Sequence, residues 1–167
     1  MAKNDIEIVD SAGLSRLPVK TLKVDDYTTS GGTQILAGEP VKISGAEGGN
    51  YAIQLADGEP AIGTDIVLGI AASNDSATST VDGTVDVYMP VPGAVYRAKA
   101  TTPGNLADGI LLDTVTFDLA AGVFTVDENE GTDEDVHGLR IIDFDTRTGT
   151  VDFEFKINAT RYGDLVA

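Results

Sequence analysis

Thr150-Val151-Asp152-Phe153-Glu154-Phe155-Lys156-Ile157 alternates along its whole length, with Val151, Phe153, Phe155 and Ile157 on one side and Asp152, Glu154 and Lys156 on the other. Successive side chains of a strand point to opposite faces, so a period of two predicts a strand with one face in a core and one in water. Just before it, Leu139 to Phe144 is a second strand-like run, and Asp145-Thr146-Arg147-Thr148-Gly149 between them is turn chemistry. Residues 139–157 therefore read as a β-hairpin. A second hairpin precedes it. Thr114 to Leu119 turns Val115, Phe117 and Leu119 inward, Val123 to Val126 returns, and Gly122 stands where the turn between them needs a left-handed residue.

The same texture runs back toward the start of the chain. Strands are expected at Val19 to Val24, Thr33 to Leu36, Val41 to Ile43, Tyr51 to Leu55, Thr84 to Met89 and Ala94 to Ala100. Ile66 to Ala71 is a continuous apolar run, the pattern of a strand covered on both faces. Ser73 to Ser79 is a polar loop, and one helical turn fits at Thr102 to Asp108. Val, Ile and Thr make up 46 of the 167 residues, while 19 Gly and 6 Pro interrupt the chain at short intervals. β-branched side chains suit a pleated surface, and so many breaks leave little room for long helices. The expected fold class is all-β: a compact β-barrel or β-sandwich of short antiparallel strands with long loops. Residues 1–18 read as an N-terminal arm or a first strand, and residues 19–167 as a single β domain.

Charge narrows the function. Asp and Glu number 27 against 11 Lys and Arg, a net charge of −16. Such a surface repels phosphate backbones and anionic lipid surfaces, so no direct nucleic-acid partner and no membrane partner are expected. There is no apolar run of 18 residues to span a bilayer and no apolar segment of the secretory type near Met1. With no cysteine and one histidine, His137, disulfides, thiolate zinc sites and multi-histidine metal sites are excluded.

Motifs that carry chemistry are sparse. The densest acidic segment is Asp127 to Asp135. If Gly131 held the glycine position of an EF-hand loop, Val126 and His137 would be the first and last ligands, and neither suits calcium. The segment reads as a solvated acidic loop, with a calcium loop of another kind as the alternative. Asp143, Asp145, Asp152 and Glu154 flank one hairpin, where a hydrolase would need a carboxylate pair, yet acidic residues are common on the wet face of a strand. Nucleophile-elbow, dinucleotide-binding and phosphate-loop patterns are absent from the sequence. The expectation is a protein that is not an enzyme, with no catalytic, cofactor-binding or metal-binding residue and no cofactor. The basic residues look scattered, the closest pairs being Lys20 with Lys23 and Arg97 with Lys99.

One ordered set of segments is informative. Gly63-Thr64-Asp65-Ile66-Val67-Leu68-Gly69-Ile70-Ala71 leads into a polar loop, then Val81-Asp82-Gly83-Thr84-Val85-Asp86-Val87-Tyr88-Met89-Pro90, then Pro92-Gly93-Ala94-Val95-Tyr96. This order is similar to that of the small capsid decoration, or cement, proteins of tailed bacteriophages, over roughly residues 35 to 160. Its motifs are turn-and-strand patterns, so no residue is carried over by role. The resemblance implies a virion structural protein on the outer capsid surface, made in the host cytoplasm. Its partner would be the major capsid protein. It would sit as a homotrimer at three-fold or quasi-three-fold sites and stabilise the mature head against internal DNA pressure. A clamp of this kind needs apolar anchors, and Ile6, Ile8, Val9, Leu14 and Leu17 are the candidate capsid or subunit contacts. On that view, removing residues 1–17 abolishes capsid binding and leaves the β fold intact. The alternative is a carbohydrate- or receptor-binding β module of a fibre or surface layer, with Tyr51, Tyr88, Tyr96 and Tyr162 as its candidate aromatic platform.

Overall fold

The computed structural model describes residues 5–27, 33–43, 51–54, 67–120, 122–129 and 138–156. Among the described residues there are eleven strands: β1 (Glu7–Ser11), β2 (Val19–Val24), β3 (Pro40–Ile43), β4 (Ala52–Gln54), β5 (Val67–Ala71), β6 (Gly83–Tyr88), β7 (Ala94–Lys99), β8 (Thr114–Ala120), β9 (Val123–Asp127), β10 (Leu139–Asp145) and β11 (Thr150–Phe155). Two short 3₁₀ turns, Pro103–Asn105 and Asp108–Ile110, stand where one helical turn was expected. Among the described residues no helix is long and apolar enough to cross a membrane.

The strands form two antiparallel sheets. The larger runs β1-β7-β11-β10-β8-β9, and the smaller runs β2-β6-β5-β3-β4. The larger sheet curls like half a barrel. Its last strand returns to the end of β7, where Ala100 bridges Val126 and the Thr101 amide donates to the Val126 carbonyl at 2.8 Å. The fold is all-β, as the alternation predicted, with one curled sheet and one smaller sheet.

Both sequence hairpins form. Leu139 pairs with Phe155 and Ile141 with Phe153 across β10 and β11, and Phe117 pairs with Val126 across β8 and β9. Val151, Phe153, Val115 and Phe117 are buried. Phe153 stacks 5.8 Å from Tyr96 and meets Phe117 edge-on at 5.6 Å, the spacing at which aromatic pairs attract. This cluster fills the curl, and Ile6 and Leu17 belong to it. A second apolar cluster, with Val24, Ile35, Val41, Val85 and Val87, fills the smaller sheet.

Two strand expectations change. Residues 33–36 form no ladder, because the Ile35 amide donates to the Asp75 carboxylate at 2.6 Å while its carbonyl accepts from the Asp75 amide at 2.9 Å. One aspartate thus does the work of a strand partner. Strand β6 stops at Tyr88, and the Met89 amide instead donates to Pro18 at 2.9 Å.

Buried acids recur in the loops. Glu39 accepts from the Leu36 amide and the Gln54 side chain, and Glu128 from the Thr102 amide and Asn105. Short strands leave many loop N–H groups without a ladder partner, and an ionised carboxylate accepts several of them at once.

Candidate docking surface

Residues 5–19 form a strap with two buried ends. Ile6 is buried, its amide donates to Gly38 at 3.2 Å, and Asp5 accepts from the Phe124 amide at 3.0 Å. Leu17 is buried at the far end. Between them β1 pairs with β7 on one side and, among the described residues, is the terminal strand of the larger sheet. Ile8 lies opposite Tyr96 and Asp10 opposite Val95, so Val9 is an extra residue, a β-bulge. Bulges re-aim side chains and blunt an edge.

The strap then turns on its own hydrogen bonds. Ser11 Oγ donates to the Leu14 carbonyl at 2.5 Å, and Asp10 accepts from the Ala12 amide at 2.8 Å. Ala12 and Gly13 both take positive φ, 56° and 75°. The result holds Ile8 37%, Val9 47%, Leu14 45% and Val19 49% exposed. These are four of the eight exposed large hydrophobic residues among those described, gathered within positions 8–19.

The structure therefore divides the five sequence candidates. Ile8, Val9 and Leu14 are exposed. Ile6 and Leu17 are core residues and offer no outer contact, because the chain closes over the aromatic cluster at both ends of the strap. The segment is the first strand with its connection to β2, bonded into the sheet, and it is not a detachable arm. Removing residues 1–17 would take out two core side chains and an edge strand, so the fold would not survive that deletion intact.

The strap borders two hollows. A crevice of about 240 Å³ lies between Ile6 and Ile8 on one side and Ile70 and Tyr88 on the other. A cleft of about 520 Å³ is lined by Asp5, Glu7, Arg97, Lys99, Asp145 and Arg147 among others. Three of the 11 basic residues that look scattered in sequence thus share one cleft. They meet acids there. Register places Glu7, Arg97, Asp152 and Asp143 in one row across four strands. Arg97 holds both oxygens of Asp152, at 2.6 and 2.7 Å, and these bonds push its guanidinium above its ordinary basicity.

The four hairpin carboxylates all have local partners. Glu154 binds Arg140, and Asp143 accepts from the Phe144 amide at 2.8 Å. Asp145 caps its own turn, accepting from the Arg147 amide at 2.8 Å, and that bond holds its carboxyl pKa below the usual carboxylate value. Of the tyrosines, Tyr96 is buried beneath the sheet and Tyr88 packs against the same cluster, while Tyr162 lies outside the described residues, as do His137 and most of the acidic segment 127–135.

Two features escaped the sequence reading. Leu111 and Leu112 are exposed, and Leu112, 66% exposed, takes φ 71°, which leucine rarely adopts. Asp25, Asp26 and Asp82 come together beyond the paired ends of β2 and β6.

The chain was compared with protein-family models, with curated proteins and with solved structures, and it matches none of them.

Proposed function

We propose that this protein is a capsid decoration protein. It binds the outer face of a tailed phage's major capsid protein shell and stabilises the filled head against DNA pressure. It acts as a homotrimer at three-fold or quasi-three-fold sites, performs no catalysis, and resides on the outside of the virion after synthesis in the host cytoplasm. The observation that carries this reading is the strap, which combines exposed apolar side chains, the terminal strand of the larger sheet among the described residues and a hydrogen-bonded turn on a chain of net charge −16. Apolar side chains held in place by a bonded turn can anchor without a large ordering cost. Copies acting together at one site turn modest contacts into lasting attachment. The acidic remainder keeps the outward surface soluble.

The test separates contact from folding. Val9→Asp combined with Leu14→Asp places two charges on the strap and leaves Ile6 and Leu17 in the core. Buried anchors in an interface contribute about 2 kcal/mol or more each, so the pair is expected to weaken binding to DNA-filled heads at least about 30-fold. Co-sedimentation through a density gradient reads the loss, and an unchanged melting temperature shows that the fold is intact. Full binding by this variant would remove the strap as the contact. Failure of the unaltered protein to band with heads would remove the capsid reading itself.

A further inference from the structure

We propose that Asp25, Asp26 and Asp82 bind a single calcium ion at the end of the β2–β6 ladder. The register pairs Val24 with Gly83 as the final step, so the residues just beyond, Asp25 and Asp26 on one strand and Asp82 on the other, meet across the ladder's end. Each offers a carboxylate oxygen, and these oxygens lie within 4.8 Å of one another. Calcium holds oxygens at about 2.3–2.6 Å, so ligands on one ion stand up to roughly 4.6–5.2 Å apart, a span that oxygens within 4.8 Å of one another match. Backbone carbonyls and water would complete the six to eight ligands that calcium takes.

A second observation points to a missing partner. Asp25 is 6% exposed, and its Oδ2 is buried with no hydrogen-bond partner. Its Oδ1 accepts from the Asp26 amide at 2.9 Å, and Asp82 accepts from that amide at 3.2 Å. The other buried acids do not share this condition. Asp75 accepts from Ile35, Ala77 and Tyr27, and Glu128 accepts from Thr102 and Asn105. An orphaned carboxylate oxygen beside two further carboxylates is costly without a cation.

The experiment uses the full chain, stripped with EDTA and returned to calcium chloride, with sodium and magnesium chloride at matched ionic strength as controls. At calcium a hundredfold above its dissociation constant, the melting temperature is expected to rise by about 5–10 °C. Titration calorimetry should report one site per chain. Asp82→Asn should weaken calcium binding at least tenfold. Asp25→Asn should abolish the calcium shift and melt no lower than the unaltered protein in EDTA, because it removes the buried charge. Two results overturn the proposal. One is a melting temperature indifferent to calcium at constant ionic strength, which would leave a proton between Asp25 and Asp82 in the ion's place. The other is a calcium shift that persists undiminished in both variants.

Discussion

Gly69→Ala is expected to lower the unfolding free energy by more than about 4 kcal/mol or to prevent folding, a range reached only through severe steric or burial defects. Gly69 sits in β5 at φ 154°, and a Cβ built there would lie 2.0 Å from the Tyr88 carbonyl oxygen and 3.1 Å from a Val87 methyl. The clash is with backbone, so no side chain can swing aside. Moving Tyr88 would break the pairing of Ile70 with Tyr88 that joins β5 to β6. The glycine also follows a register shift, since Val41 pairs with Gly69 and Lys42 with Val67, leaving Leu68 as the extra residue. Urea unfolding reads the loss. Gly109→Ala is the control, because a Cβ there meets nothing within 4 Å, and its change should stay within about 0.5 kcal/mol. An alanine at 69 that unfolds like the parent would show that the β5–β6 approach is wider than described.

Asp75→Ala is expected to cost about 3–5 kcal/mol, since it strips the acceptor from several buried donors at once. Asp75 is buried, with Oδ2 2.6 Å from the Ile35 amide and Oδ1 3.1 Å from the Ala77 amide and 2.5 Å from the Tyr27 hydroxyl. Without the carboxylate, the Ile35 N–H faces no acceptor in a place that water does not reach. Asp75→Asn should cost less, about 1–2 kcal/mol. The Tyr27 hydroxyl also lies 2.9 Å from the Ala77 carbonyl, so it can donate there and accept from the new amide. Equal losses in the two variants would show that charge matters more than acceptor geometry. The same contact has an alkaline signature. Burial first, then Asp75, raises the Tyr27 pKa far above its ordinary 10.0. A raised folded-state pKa gives stability that is complete below pH 10.0 and declines as the pH climbs above it, because the unfolded chain then ionises more readily. Tyr27→Phe should remove that share of the alkaline decline, measured as unfolding free energy from pH 9 to 12, a window set by the ordinary tyrosine value of about 10.

Residues with clear local patterns were legible. Val151, Phe153, Val115 and Phe117 are buried as their alternation predicted, and Gly122 takes the positive φ that its turn requires. The fate of residues 33–36 was not legible, because their partner is a side chain 40 positions away. The strap was half legible. Its apolar content was plain, but Ile6 and Ile8 are the same residue two positions apart and differ in burial. Ile6 belongs to the buried aromatic cluster while Ile8 is exposed. Which isoleucine is covered depends on where the neighbouring strands end. The acidic cluster had a faint sequence signal, Asp25-Asp26 after one strand and Asp82-Gly83 before another, but 56 positions separate Asp26 from Asp82.

The strand-rich class, the two C-terminal hairpins and the acidic character follow from local residue patterns, since side-chain alternation, turn chemistry and charge are properties of neighbouring residues. Tertiary structure alone decided that β1 pairs with β7, that the larger sheet curls back on itself, and that chemically identical aspartates serve as a guanidinium partner at 152, a loop fastener at 75 and an orphaned oxygen at 25. Those outcomes depend on which distant segments share a register and how much water remains between them, and a carboxylate carries no local mark of either.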